Sequence, residues 1–490
     1  MKLNKETLEH SINMGKQCIL AKKQSVLIRN KQYLVWPLFF LEGTQPREDG
    51  VDICATAMGV ISIVHFINEN VNDEISNAIN KGIATLLFVR NADGSWPSKI
   101  SLVAKDNVSM EGVISDTYFA LSALVRVGFI TNNPKITNLV DPLNDQSLND
   151  LNDRLKIVEK GVQWLLENRV GQGWGYTGTK YLEDRTGRNV IPAYVVPSAN
   201  AIDIISQVLS AEKEMNPQSP LIEGMEVAKR ETMNWICEIQ NPDGGFGIKR
   251  GDEKSRVGNT AKVLVTLCKV YIPNDMVEKV QSVINKAIKF ILKNYNVKKI
   301  SFESVSEDFS QFIVETDGES VNAFKRPIIH ESYLEPLVIE ALCLYYMRVI
   351  SVSATKPLKK SFFFKNKICK TIKVACEEML EKQKVDGEIQ GAVKSRRPAQ
   401  CESYTMYACS DMISILSKLI NNNELLKKVI RSSLENKLLL AIYIFLIGLI
   451  FIPVLLSHEP LWLAVLLLIM NPIAINIISS AIEKLLFRDD

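Results

Sequence analysis

Six places along the chain put polar, chemistry-capable side chains at the opening of an apolar helical segment. They read Asp52-Ile53-Cys54-Ala55-Thr56-Ala57, Ser115-Asp116-Thr117-Tyr118, Ser198-Ala199-Asn200-Ala201, Gly258-Asn259-Thr260-Ala261, His330-Glu331-Ser332-Tyr333 and Cys401-Glu402-Ser403-Tyr404. Four of them carry a carboxylate: Asp52, Asp116, Glu331 and Glu402. Carboxyl groups gathered at one edge can divide the work of general acid and base when their surroundings push their proton affinities apart. Glu331 and Glu402, at matching positions in two Glu-Ser-Tyr copies, are the clearest pair. The plainer reading is that Asp52 and Asp116 cap helix N-termini and the glutamates face solvent.

These openings recur about 60 to 85 residues apart, which is room for two helices and their loops. Five of them are preceded by a glycine turn, which in its fullest form carries an acid and an aromatic. Asn91-Ala92-Asp93-Gly94-Ser95-Trp96 and Gln240-Asn241-Pro242-Asp243-Gly244-Gly245-Phe246 are the clearest copies. Weaker ones lie at 171–176, 315–318 and 383–389. Apolar periodicity predicts helices over 7–28 and 51–66, 74–90 and 113–127, 155–168 and 196–212, 223–240 and 258–271, 276–295 and 329–350, and 365–383 and 401–420. A helical hairpin cannot bury its apolar face alone, so six of them are expected to stack side by side and close into a ring.

The chain has 490 residues, 47% hydrophobic and 23% charged, enough for a sizeable core. Its 58 basic and 55 acidic residues leave a net charge of +3, which carries no nucleic-acid footprint. Nine cysteines without a CxxC pair read as a reducing compartment. No apolar stretch follows the charges of Met1-Lys2-Leu3-Asn4-Lys5-Glu6, so no secretory signal is expected. The runs 438–456 and 461–482 are uncharged and each long enough to cross a bilayer about 30 Å thick. Lys427, Lys428, Arg431 and Lys437 before the first, and Lys484 and Arg488 after the second, place both ends in the cytoplasm. The expected division is a helical domain over 1–430 and a transmembrane hairpin over 431–490. Basic residues interleaved with Phe362, Phe363 and Phe364 over 356–367 offer a further contact with an anionic membrane surface.

The Gln-x-x-Asp-Gly-x-aromatic turn followed by a Thr-Ala-type helix resembles the repeats of the terpene cyclase and protein prenyltransferase superfamily. The likeness spans about residues 10 to 420. It implies an all-α, (α/α)6 toroid whose second helices line a central cavity, followed here by two transmembrane helices. In the class II cyclases of that superfamily a DxDDTA-like run supplies the acid that protonates an alkene. Val113-Ile114-Ser115-Asp116-Thr117-Tyr118 aligns with it, keeps only the last Asp, and has Ser115 at the position of the proton donor. The prenyltransferase β subunits place Asp-x-Cys and a His at inner-helix openings and bind zinc there. Asp52, Cys54, His330 and Cys401 are the corresponding zinc candidates, although His330 lies two hairpins from the family's position.

The expected function is therefore that of a bacterial, membrane-anchored cyclase- or prenyltransferase-like protein, its toroid on the cytoplasmic side of the inner membrane, acting on or binding an isoprenoid or other lipid. The catalytic candidates are Asp52, Asp116, Glu331 and Glu402. The alternative is a ligand-sensing toroid that has lost its acids and is coupled to the transmembrane hairpin as an effector, for example in defence or stress response.

Overall fold

The computed structural model describes residues 3–28, 30–40, 50–67, 73–101, 112–132, 134–135, 139–176, 192–295, 302–307, 310–311, 324–325, 328–350, 362–388, 390–396 and 403–432. The chain divides into two compact units, Met1–Leu426 and Lys427–Asp490. Among the described residues no helix is long and apolar enough to cross a membrane. The expected spans, 438–456 and 461–482, lie outside those residues.

Among the described residues, the ring of the first unit is built from α1 Lys5–Ala21, α2 Ile53–Ile63, α3 Asp73–Val89, α4 Ile114–Val127, α5 Leu151–Glu167, α6 Val195–Met215, α7 Leu221–Glu238, α8 Val257–Lys269, α9 Val277–Asn294, α10 Glu335–Tyr345, α11 Phe362–Glu381 and α12 Met406–Asn421. The even-numbered helices pack in a closed order, α2 on α4, α4 on α6, and so on to α12, which packs back on α2. Each odd-numbered helix covers the outside of the preceding inner one, and α1 covers α12. Short antiparallel strands tie the connecting loops; Ser403–Thr405 pairs with both Lys394–Arg396 and Phe39–Phe40, which joins the last hairpin to the first. The fold is an (α/α)6 toroid.

The same hydrogen bond recurs in five of the hairpins. The backbone N–H of the turn aromatic donates to a hydroxyl or thiol near the start of the following inner helix. Trp36 donates to Thr56 at 3.4 Å, Trp96 to Thr117 at 3.0 Å, Trp174 to Ser198 at 2.9 Å and Phe246 to Thr260 at 3.0 Å. In the last hairpin Val393 donates to the Cys409 thiol at 3.2 Å. All five acceptors are buried, so each pin satisfies a main-chain group that would otherwise be costly to enclose. The indole N–H groups of Trp36, Trp96 and Trp174 donate to the carbonyls of Ile19, Leu86 and Leu165 on the outer helix just completed. Burial of these rings is thereby favourable by about 2–3 kcal/mol each.

The turns also bind each hairpin to the next. The Gln240 amide donates to Gly244 O and to Val283 O on α9, and the Gln383 amide does the same to Gly391 O and to Ser11 O on α1. The second pair closes the ring. Glycine is required where the turn meets the neighbouring backbone: a Cβ on Gly94, at φ 93°, would stand 2.6 Å from the carbonyl of Lys160 on α5. At Gly391, φ 88°, it would collide with Met14 on α1.

Several expectations change at this level. The first helix stops at Ala21, and Gln24–Ile28 forms a hairpin with Lys31–Val35 around Asn30 at φ 61°. The β-branched and aromatic residues Val26, Ile28, Tyr33 and Val35 favour the strand. The sixth turn is Gly391-Ala392-Val393, not Asp386-Gly387, because an insertion separates Gln383 from its glycine. The turn expected at 315–318 lies outside the described residues, as does 356–361. The Phe run opens outer helix α11, where Phe364 packs edge-on against Tyr345 at 6.4 Å.

The pins give a direct test of this architecture. Thr117→Val is expected to cost about 1–3 kcal/mol in chemical denaturation, since it strands the buried Trp96 N–H. Thr117→Ser, which keeps the acceptor, is expected to cost well under half of that; equal losses would show that packing of the methyl group, not the hydrogen bond, holds the turn.

Candidate functional site

The five pins set a common register for the inner helices. Two residues before each pin stand Cys54, Ser115, Val196, Gly258 and Tyr407; two residues after it stand Met58, Phe119, Asn200, Lys262 and Asp411. These positions point inward. On α12, Tyr407, Asp411, Ser414 and Lys418 are half-buried at intervals of one helical turn, while the rest of that helix is largely enclosed. Ser115, Phe119, Ser122 and Arg126 repeat the pattern on α4, and Leu337, Glu340 and Leu344 repeat it on α10. Outer helices cover the backs of these elements, so the strip of accessible surface on each must face a lumen inside the ring.

At the N-terminal mouth three consecutive helices, α12, α2 and α4, bring together Tyr407, Cys54, Asp52, Asp116 and Ser115. Asp52 is the N-cap of α2 and accepts the Ala55 N–H at 2.9 Å. Asp116 is not a cap: Val113 holds that position, and Asp116 lies in the first turn, 5% exposed. Its carboxyl is raised to about 7, first by burial and then by the negative charge of Asp52, against the opposing pull of the Ser115 hydroxyl and the Cys54 backbone N–H. Ser115 Oγ is 3.1 Å from Asp116 Oδ2 and lies on the lumen face. The Cys54 thiol meets the Tyr407 hydroxyl, and Tyr407 packs edge-on against Phe119 at 5.7 Å.

Deeper in the lumen the composition becomes charged. Asp411 follows Tyr407 by one turn, and its carboxyl is also raised to about 7, by burial and then by Glu340, with Lys262, Lys418 and Lys269 opposing. Tyr118 Oη lies 3.3 Å from Asp203 Oδ2 and 3.5 Å from Lys262 Nζ, and the lysine sits 5.1 Å from the centre of the Tyr118 ring. Glu340 takes ion pairs from Lys418 at 2.8 Å and Lys269 at 3.0 Å, which hold its carboxyl far below the ordinary range in spite of burial.

Of the sequence candidates, Asp52, Cys54 and Asp116 come together. His330 and Glu331 do not open an inner helix: Ile328–Tyr333 is a strand paired with Phe302–Glu307, and α10 begins at Glu335 after Leu334. Pro336 accounts for the offset, since proline favours the first turn of a helix over its interior. Cys401 and Glu402 lie outside the described residues, and α12 begins at Met406. Among the described residues there is no group of three or more His, Cys, Asp and Glu able to hold a metal ion. Burial first, and then the charges of Asp116, Asp52 and Asp411, push the Cys54 thiol well up; Cys401, the second thiol of the expected zinc set, lies outside the described residues.

Sequence reasoning missed Asp411, Tyr407, Lys262, Asp203 and Glu340. The signal was present in the one-turn spacing of Tyr407, Asp411, Ser414 and Lys418, but only the Val393–Cys409 pin sets these residues at the same depth as Cys54 and Met58.

No protein-family model matches the chain, and no curated protein matches it in sequence. Among solved structures it is similar to the cellobiose 2-epimerase from Spirochaeta thermophila DSM 6192, at 11% identity over 85% of this chain and 97% of that one, with a TM-score of 0.53. A D-mannose isomerase matches at 10% identity, over 85% and 98% of the two chains, with a TM-score of 0.52. The type II terpene cyclase MstE from Scytonema aligns over 86% and 99% at 11% identity, with a TM-score of 0.44. At these identities the first two likenesses establish a shared fold.

Two carboxyls raised to about 7 make stability depend on pH. The folded state binds their protons more tightly than the unfolded chain, so the contribution is full below about pH 4 and is lost as pH rises through about 7. Asp116→Asn and Asp411→Asn are each expected to flatten the fall in melting temperature between pH 5 and 8, and to melt above wild type at pH 8. The ceiling is about 4 kcal/mol per group. Parallel pH profiles in wild type and variants would show that neither carboxyl is held neutral.

Proposed function

We propose that the chain is an acid–base enzyme that transfers protons to and from a ligand held in the lumen, and that this ligand is an isoprenoid or other lipid drawn from a membrane to which the C-terminal runs anchor the toroid. The observation that carries the reading is the placement of Asp116 and Asp411, both raised to about 7, on the helices to either side of α2 and Cys54. A carboxyl that keeps its proton near neutral pH is matched to general-acid work.

Asp411 stands on the lumen face, and its O–H donates directly to an electron-rich carbon or oxygen of the ligand. The carboxylate that remains offsets the positive charge developing there, and takes a proton back when the product loses one. Asp116 acts one atom removed: its proton passes to Ser115 Oγ as the serine hydroxyl proton passes to the lumen. This accounts for a serine at the position where the resembled cyclases place their donor. Met58, Phe119 and Ile61 on α2 and α4, with Leu337 and Leu344 on α10, supply the apolar surface a lipid chain needs. The uncharged runs at 438–456 and 461–482 support the membrane side of the reading.

The test uses the full-length protein in nanodiscs with a panel of prenyl diphosphates, squalene and lipid-linked substrates, products being read by mass spectrometry. On the substrate that turns over, Asp411→Asn and Asp116→Asn are expected to lower kcat by about 10²- to 10⁴-fold with the fold retained. The rate should fall as pH rises through about 7, where the acids lose their protons. Variants as active as wild type would refute the acid assignment, and a ligand bound but never converted across the panel would favour the sensing alternative.

A further inference from the structure

The far end of the lumen carries a chemically different set. Nine residues beyond the pins stand His65, Arg126, Gln207, Lys269 and Lys418, on or at the end of α2, α4, α6, α8 and α12. Four of these five are basic. Glu340 engages Lys418 and Lys269, and Asp203 lies 4.0 Å from Lys269. Arg126, half-buried, makes no side-chain hydrogen bond or ion pair with any described residue. The buried Nε2 of His65 also has no hydrogen-bond partner among the described residues.

The inner helices end here, and the partial negative charge of their C-termini favours nearby cations. The His65 imidazole is held down to about 4, first by burial and then by the nearby charges of Arg126, Lys418 and Lys135. Lys418 comes from α12, His65 follows α2 and Arg126 ends α4, the same three consecutive helices that carry the acids at the mouth.

We infer that Arg126, His65 and Lys418 form a binding subsite for the phosphate group of an amphipathic ligand whose chain runs up the lumen to Asp411 and Asp116. The Arg126 guanidinium offers two parallel donors to a tetrahedral oxyanion, His65 Nε2 offers a third, and Lys418 adds a point charge. From Asp411 to Lys418 is seven residues of helix, or about 10 Å, and from Ser115 to Arg126 eleven, or about 16 Å. These separations bracket the length between the phosphate and the reacting atom. Met58, Phe119 and Ile61 lie between the two ends. The subsite rests on the lumen being the ligand site, as proposed above, but its test reads binding without turnover, so failure of the acid chemistry and failure of the subsite are separate results.

Full-length protein in a phosphate-free detergent is titrated calorimetrically with inorganic phosphate, decyl phosphate and acetate at constant ionic strength. Decyl phosphate is expected to bind at least ten-fold more tightly than inorganic phosphate, and acetate more weakly than either. Arg126→Gln should lose ten-fold or more in affinity for both phosphates, Arg126→Lys less, and exposed Arg250→Gln nothing. The His65 ring resonance, identified by its loss in His65→Gln, should titrate near pH 4 alone and move upward when phosphate is bound. Unchanged phosphate affinity in Arg126→Gln, no saturable binding, or acetate binding as tightly as phosphate would each overturn the assignment.

Discussion

The toroid depends on one repeated hydrogen bond, from the main chain of an outer turn to a side chain inside the next inner helix. An N–H enclosed without a partner is expensive, so the acceptor must stand where the turn arrives, and the inner helix cannot slide or rotate without breaking it. The five observed pins use Thr56, Thr117, Ser198, Thr260 and Cys409. Because the acceptor occupies the same place in each hairpin, depth along the ring axis is shared by helices that are far apart in sequence. Layers of lumen side chains are a consequence of that constraint.

The shared direction of the inner helices has an electrostatic consequence as well. Their N-termini meet at one mouth and their C-termini at the other end, which favours carboxylates at the first and cations at the second. Asp52 and Asp116 lie at the mouth, whereas Arg126, Lys269 and Lys418 close the last turns of α4, α8 and α12. Burial then modulates this polarity locally. It raises Asp116 to about 7 in a place where the helix dipole alone would favour its anion, and the gap between those two tendencies makes the group suited to proton transfer.

Between the two ends, apolar and charged walls divide the lumen. Met58 and Phe119 face one side, while Lys262, Asp203 and the Glu340 pairs with Lys269 and Lys418 face the other. Glu340 already partners Lys269 and Lys418, and Lys418 reaches the far end as an oriented charge. Arg126 and His65 there, and Asn200, whose buried Oδ1 is unbonded, have no such partner among the described residues and are the groups a bound molecule can complete.

The sequence by itself determined the helical hairpins and their turns, because helix periodicity, glycine at positive φ and a buried aromatic are local constraints that a short stretch expresses fully. It also brought Asp52, Cys54 and Asp116 into view, since each opens an inner helix beside a recognisable Thr. It misplaced the sixth turn and the start of the fifth inner helix, where an insertion and Pro336 shift the repeat without altering its letters. Asp411, Lys262 and Arg126 were not legible. A carboxylate one turn below a tyrosine reads as an ordinary helix residue until the Val393–Cys409 pin fixes its depth and the packing of α12 on α2 sets it near Cys54. Only ring closure, a contact between the two ends of the first unit, turns those positions inward together. No local pattern encodes it, because the helices that must meet are separated by most of the chain.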